Sequence, residues 1–448
     1  MKIRTGWLFA LAMVFSLSAF PADRSVDVRV YNNTESYMTL WNKSLAHGCW
    51  STQPTNILVG TISDFGAQSC GFLTGTEGQA DYDAPNSDDF QIYWDNPFVG
   101  SNSYSVTVSN KSKYSVKYTG GGGDHSRILV FLTQNQPSTL YSIVIASDSQ
   151  AWRLSTGDPN SASNRAPWEA LNNKVVDSIN QLSINEGFRF AIINGDITEF
   201  GRQVTRDSFY SVYNRLKFPF LFGLGNHDYE NNVGDCTEAL DASYNACARW
   251  SVDDMYSSKY DNGITLYANL MPYNFSSDYN GETRTGSLAY SWDYGNMHFV
   301  QLQNYPTYQV TLDHYAAQTI YIRKSMDWLE NDLKNALARN KVIVLNMHDY
   351  DALKSDSTAE ERARFRDLVD KYHVVAIFGG HTHQYGEFNR AGGDPVFGNA
   401  VVYNSGALFL GDYLRVAING DCFQVSVYNG KTGTPELQKA YDSLCGKH

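Results

Sequence analysis

The 448-residue chain is about three times the length of a typical domain of roughly 150 residues, so more than one core is expected. Hydrophobic residues make up 42% and charged residues only 18%, a balance that excludes a disordered chain. Asp and Glu outnumber Lys and Arg by 47 to 35, and the formal charge of -12 works against polyanion partners, so no nucleic-acid binding is expected. Aromatic residues reach 14%, which suits β-rich sheets and wet binding surfaces more than helical bundles.

At the amino end, Lys2 and Arg4 precede an apolar run from Trp7 to Phe20, with small residues at Ser16, Ser18, Ala19 and Ala22. This outlines a secretory signal peptide over 1–22, too short to span a bilayer, and predicts a secreted protein, extracellular or periplasmic. The six cysteines fit an oxidising compartment. Proximity in sequence pairs Cys49 with Cys70, Cys236 with Cys247, and Cys422 with Cys445, although six cysteines allow about 15 connectivities and others stay open. There is no CxxC spacing, so structural disulfides are expected rather than a thiolate metal site.

From residue 26 to 134, short alternating runs such as VDVRVYNN and NSYSVTVS are separated by Gly, Asn, Ser and Asp, the pattern of an all-β sandwich. RILVFLT reads as its last strand, and QNQPST (134 to 139) as a linker. Beyond it, buried-strand runs at 141–147, 188–194, 218–224, 297–303, 341–347 and 374–380 alternate with predicted helices at 167–186, 204–216, 318–339 and 358–372. That order predicts an α/β domain over 139–448. A polar, Tyr-rich insertion at 229–290 interrupts it beside a strand end, where insertions commonly shape a site.

The strand ends carry the chemistry. Asp148 and Gln150 follow the first (SDSQ), Gly195 and Asp196 the second (NGDI), and Asn226, His227 and Asp228 the third (GNHD). His348 ends a later strand (NMHD), and His381 and His383 end another (GGHTH). Ligands of open α/β sheets bind at the carboxyl ends of strands, so these five loops are expected to converge. Their donors are oxygens and imidazoles. A carboxylate such as Asp196 can bridge two divalent ions roughly 3.5 to 4 Å apart, with Gly195 leaving room for close backbone approach. The i, i+2 spacing of His381 and His383 puts both on one face of an extended chain, one for each ion. Each motif alone is commonly structural; five in order, each after a strand, are not.

The series DxQ, GD, GNHD, H, GHTH resembles the calcineurin-like metallophosphoesterase family over about 139–420, and SLAYSWDYGNMHFVQLQN is similar to the strand region between that family's third and fourth motifs. The resemblance implies an αββα four-layer sandwich and two divalent metals: one held by Asp148, Gln150, Asp196 and His383, the other by Asp196, Asn226, His348 and His381. Gln150 stands where the family usually has His. A carboxamide oxygen is a harder, weaker donor than imidazole, so among manganese, zinc and iron the first site is expected to move towards oxygen-tolerant manganese. Glu199 stands where purple acid phosphatases carry a metal-binding Tyr, which argues against purple-acid chemistry.

Water between two divalent ions ionises near neutral pH, and the resulting hydroxide is placed for in-line attack on phosphorus. His227 is the expected general acid or electrostatic stabiliser, with Asp228 beside it fixing its tautomer.

In the first module, HGCW, GTEGQADY and IYWDNPFVGSN resemble the aegerolysin family, β-sandwich proteins that as a group bind particular lipid membranes, often sphingolipid-containing. Trp50, Tyr93, Trp94 and Phe98 are then candidate lipid-binding residues, since exposed aromatics anchor at membrane interfaces. Together the two halves imply a metal-dependent phosphodiesterase acting on a phospholipid or sphingolipid headgroup. The alternatives are a soluble nucleotide phosphodiesterase or phosphomonoesterase, and a membrane-binding toxin with a vestigial phosphoesterase half.

Overall fold

A computed structural model describes residues 24–446 except 60, 72, 85–87, 136–138, 160, 235, 237–244, 261–273, 277, 280–282 and 314–318. The expected signal peptide lies outside the described residues, as does part of the expected linker.

The first module is the all-β sandwich its alternation predicts. One sheet runs in the order Cys49–Thr52, Ile62–Gln68, Ser25–Asn33, His125–Gln134, Tyr114–Gly120; the other runs Thr39–His47, Thr76–Ala84, Asp88–Asn96, Ser103–Val108. His125–Gln134 lies parallel beside Ser25–Asn33, so the last strand completes the sheet that the first began. Inward residues of facing strands, among them Val28, Val30, Phe90, Ile92, Trp94 and Val130, form its own core. Cys49 and Cys70 are free thiols here, against the expected bridge. Cys49 is in register with Gln68, so Cys70 lies beyond the paired strand end, diagonal to it; the Cys49 thiol is hydrogen-bonded to that of Cys70 and is pushed up to about 11.

From Leu140 onward the chain builds two seven-stranded sheets around a second, larger core. In the first, Phe220–Phe222, Phe188–Ile193 and Leu140–Ala146 run parallel, and Asp412–Asn419, Cys422–Asn429 and Glu436–Ala440 continue antiparallel. In the second, Met297–Gln301, Val342–Asn346, Val374–Gly379 and Val401–Ser405 form the parallel centre. The sheets are locked face to face by aromatic packing of Phe190 on Trp292, Tyr294 and Phe299, with the Tyr290 hydroxyl donating across to the Phe222 carbonyl at 2.8 Å. Helices Arg165–Glu186, Gln203–Tyr213, Met326–Ala338 and Ala359–Lys371 bear out the predicted pattern, the last with the Thr358/Glu361 capping box. The helix expected over 318–339 instead opens with a strand, Thr319–Ile322, because TIYI is β-branched and aromatic.

Two disulfides form as expected. Cys236 and Cys247 tie the insertion to the start of helix Ala246–Tyr260, and Cys422 and Cys445 hold the last strand on Cys422–Asn429. No described helix is long and apolar enough to cross a membrane. The two halves meet at Glu35, whose carboxylate accepts from the Tyr294 hydroxyl at 2.9 Å and lies 3.3 Å from Arg189.

Candidate metal centre

The two sheets contribute different donors to one rim. Loops after Leu140–Ala146, Phe188–Ile193 and Phe220–Phe222 supply Asp148, Gln150, Asp196 and Asn226; loops after Val342–Asn346 and Val374–Gly379 supply His348, His381 and His383. Oxygen donors thus come from the first sheet and imidazoles from the second. Backbone hydrogen bonds lace the loops together: Asp148 N to Gly195 O at 3.1 Å, Gln150 N to Asp196 O at 2.8 Å, and Gly380 N to His348 O at 3.0 Å. The approach is so close that a Cβ on Gly195 would lie 2.6 Å from the Gly225 nitrogen, and one on Gly380 would lie 2.5 Å from Asp148 Oδ2.

Six of the seven expected ligands approach one another, and Gln150 joins them through its backbone nitrogen on the Asp196 carbonyl. His348 Nε2 lies 2.9 Å from Asn226 Oδ1 and 3.1 Å from Asp196 Oδ2, and His381 Nδ1 lies 3.1 Å from the same Asn226 oxygen. Asp196, His348 and His381 form a cluster spaced to hold a cation. On the other side His383 Nε2 lies 3.3 Å from Asp148 Oδ1. The buried atoms Asp148 Oδ1, Asp196 Oδ2 and both amide atoms of Gln150 have no hydrogen-bond partner among the described residues. Orphaned buried acceptors facing imidazole nitrogens are what a cation site requires, so the residues fit divalent metals. Asp148, Gln150, Asp196, His381 and His383 all have positive φ, between 34° and 69°, strain of the kind that collects at functional sites. The extended chain expected to put His381 and His383 on one face is not what forms: both have positive φ, and the bend turns His381 towards Asn226 and Asp349 and His383 towards Asp148.

Charge is shared tightly here. Burial disfavours the His348 cation, yet the Asp196 and Asp148 carboxylates prevail and push it up to about 10. Asp196 is in turn held down at about 2, with burial opposing and His348 and His227 favouring its anion. The His348 Nδ1 contacts the Asn194 carbonyl at 2.8 Å, which fixes the ring and leaves Nε2 for the site. Asp349, missed by motif reading although it directly follows His348, stands 3.3 Å from His381 Nε2 and caps helix Tyr350–Ser355.

The expected partnership of His227 and Asp228 is corrected. Asp228 faces away from the imidazole: its carboxylate accepts from the backbone nitrogens of Ile197, Thr198 and Gly225 and from the Thr198 hydroxyl, tying the second and third motif loops together. Burial, then the Asp196 charge, push it up to about 7. The His227 Nδ1 instead meets the Glu199 carbonyl at 2.8 Å, with the Glu199 carboxylate 3.6 Å away. Its backbone nitrogen donates to Asp196 Oδ1 at 2.9 Å, placing the half-buried ring at the edge of the centre.

Of the expected lipid-facing residues, Trp94 is corrected. Trp94 is wholly buried, packed edge-on against Trp50 at 5.6 Å, because inward alternation along Asp88–Asn96 carries it into the core. Trp50, Tyr93 and Phe98 are half-buried, Tyr93 bonded to Glu77 and Phe98 covered by the Arg24 guanidinium. Trp41, 58% exposed on Thr39–His47, is the prominent surface indole that sequence reading passed over.

Two facing sheets with oxygen and imidazole donors gathered at one rim make a candidate metal centre. The family profile of the calcineurin-like phosphoesterases matches residues 141–385, more than half of the chain, and the chain belongs to that family. The aegerolysin profile matches residues 23–131, ahead of it. An uncharacterized protein of Dictyostelium discoideum is 32% identical over 97 residues, covering 21% of this chain and 9% of its own. Purple acid phosphatase 23 of Arabidopsis thaliana is 33% identical over 109 residues, covering 23% of this chain and 21% of its own. The chain therefore spans only a small part of the curated relatives it matches. Among solved structures, purple acid phosphatase PPD1 of yellow lupin (Lupinus luteus) aligns over 94% of this chain and 95% of its own at 10% identity, TM-score 0.42. The lipid binding protein Nakanori aligns over 25% of this chain and 71% of its own at 17% identity, TM-score 0.22.

Proposed function

We propose that this chain is an exported phosphodiesterase that holds two divalent cations, manganese favoured at the Gln150 side, and cleaves the headgroup phosphodiester of a phospholipid or sphingolipid. The observation that carries the reading is the pair of orphaned buried oxygens, Asp196 Oδ2 facing His348 and Asp148 Oδ1 facing His383, with both amide atoms of Gln150 unpartnered among the described residues. Asp148, Gln150, Asp196 and His383 are assigned to one cation, and Asp196, Asn226, His348 and His381 to the other. When bound, the metals supply Lewis acidity at the phosphoryl oxygens and lower the pKa of water. His227 is assigned the proton transfer to the leaving oxygen through Nε2, since Nδ1 is engaged by the Glu199 carbonyl. Asp228 is a positioning residue that holds the His227 loop.

The aegerolysin match supports a membrane role for the first module, which would raise the local concentration of the catalytic half at a lipid surface. With a net charge of -12, docking has to be headgroup-specific rather than driven by anionic lipid. A soluble nucleotide phosphodiesterase or phosphomonoesterase is the second reading, favoured by the inward turn of Trp94. Metal analysis of the purified protein, with a panel of sphingomyelin-type lipids, soluble phosphodiesters and phosphomonoesters, decides between them. Preference for soluble esters and no binding to sphingomyelin vesicles would end the lipid reading; fewer than two metals per chain would end the dinuclear one.

A further inference from the structure

We infer that Arg153 is the substrate-oxygen clamp of this site: its guanidinium holds a non-bridging phosphoryl oxygen, with Glu199 as the residue that positions it. This rests on the phosphoesterase reading above and adds a residue that lies outside the metal-binding motifs.

Arg153 follows the Asp148/Gln150 loop, its backbone nitrogen bonded to the Gln150 carbonyl at 2.7 Å. Its Nη1 alone reaches Glu199, at 3.1 and 3.2 Å from the two carboxylate oxygens. Nε and Nη2 carry no hydrogen bond among the described residues, so the donor pair best suited to a bidentate oxyanion contact is left over. The guanidinium also lies over the Phe409 ring at 5.4 Å, and that ring meets His383 edge-on at 4.9 Å. On its other flank, Glu199 stands 3.6 Å from His227 Nδ1. Arg153 is thus suspended between the His383 side and the His227 side of the centre, the two sides between which a phosphoryl group has to sit.

Burial separates the two partners in kind. The Glu199 side chain is 4% exposed and the Arg153 side chain 30%. A buried anchor with a solvent-facing cation is the arrangement of a preset clamp, since holding the stem in advance reduces the ordering cost when an anion arrives. The surroundings are otherwise acidic: Asp148, Asp196, Asp228 and Asp349 crowd the rim. A fixed cation at the edge draws an anionic ester into a pocket that its carboxylates would repel.

The test uses the full chain loaded with manganese, with inorganic phosphate as the probe, read by titration calorimetry and as a competitive inhibitor of hydrolysis. Arg153→Ala is expected to weaken phosphate binding about 10- to 100-fold, and to raise KM by more than it lowers kcat, with metal content unchanged. Arg153→Lys keeps the counter-charge to Glu199 but offers no planar pair, so it recovers stability and only part of the phosphate affinity. Guanidinium ion added to Arg153→Ala should restore activity in part. If Arg153 were only a structural ion pair, the variants would melt earlier yet bind phosphate as tightly as the wild type. Phosphate affinity within about twofold of wild type in Arg153→Lys, or in a fully metallated Arg153→Ala, overturns the inference. A wild type that hydrolyses no phosphoester defeats the proposed function instead, while the phosphate titration still reads Arg153.

Discussion

Gln150 is the point at which the metal reading makes a thermodynamic demand. It is 0% exposed, and neither Oε1 nor Nε2 has a hydrogen-bond partner among the described residues, so either orientation of the amide leaves both groups unsatisfied there. Each such buried group costs about 1–3 kcal/mol. Without metal, Gln150→Leu removes both at similar volume, and after about 1 kcal/mol for imperfect shape it should stabilise the chain by about 1–5 kcal/mol. That is a rise of about 2–8 °C in Tm at this domain size. With manganese in excess the difference shifts back towards the wild type. The wild type gains about 2.7 kcal/mol at a metal concentration of 100 times Kd, whereas the variant lacks a ligand on the Asp148 side. Scanning calorimetry of the full chain in EDTA and in manganese, with metal counted per chain, measures both differences. A metal-free Gln150→Leu protein that melts below metal-free wild type would mean that Gln150 is already satisfied without a cation, and the demand would vanish.

Further outcomes follow from the same geometry. His227→Ala should keep its metals, since no metal contact is assigned to the ring, and lose about 10²–10⁴-fold in kcat; near-normal turnover with metals bound defeats the proton-transfer role. His298 is buried between Asp293 at 2.7 Å and Asp332 at 2.9 Å; burial lowers its pKa, but the two carboxylates prevail and raise it above the usual 6.5. A raised folded-state pKa gives stability fully present below about 6.5 and lost as pH rises through the folded value. The stability gap between wild type and His298→Gln in urea should therefore shrink from pH 6 towards alkaline pH, and a gap that widens contradicts the assignment. Trp94→Ala should destabilise the first module by about 3–5 kcal/mol, whereas Trp41→Ala should leave stability within about 0.5 kcal/mol and reduce vesicle binding. Equal loss of vesicle binding in a folded Trp94 variant, with Trp41→Ala unaffected, would reverse those roles. Glu35→Ala strips the partner from Arg189 and Tyr294 at the junction, at a cost of about 1–3 kcal/mol, and should split one calorimetric transition into two; a single transition with unchanged Tm counts against coupling through Glu35.

The sheets and the meeting of the strand-end loops are legible because both follow local rules. Buried strands such as Val342–Asn346 and Val374–Gly379 are uninterrupted apolar runs, and each metal donor sits within a few residues of a strand end. What sequence concealed was side-chain direction. Asp228 neighbours His227 in the chain, but on one short helical turn adjacent residues diverge, so the carboxylate turned to the Thr198 backbone and left the imidazole to Glu199. Trp94 and Tyr93 were treated alike, although strand alternation must send one in and hold the other nearer the surface. The Glu199 to Arg153 pairing joins residues 46 apart, which no local pattern encodes.

The division of donors between sheets would give any bound cation a structural role that the motif order does not express. Asp148, Gln150, Asp196 and Asn226 hang from one sheet and His348, His381 and His383 from the other, so any ion they share fastens the sheets at their common rim. That rim is also where the backbone is strained, with five ligands at positive φ and each costing about 1–3 kcal/mol. The strain persists because aromatic packing of Phe190 against Trp292 and Phe299 fixes the sheets elsewhere, which holds the donors close before any ion binds. Metal removal should then loosen the rim first, raising hydrogen exchange at Gly195, Gly225 and Gly380 while the strands Phe188–Ile193 and Met297–Gln301 stay protected. Uniform exchange across both sheets on chelation would mean that the cations hold up the whole fold and not its edge.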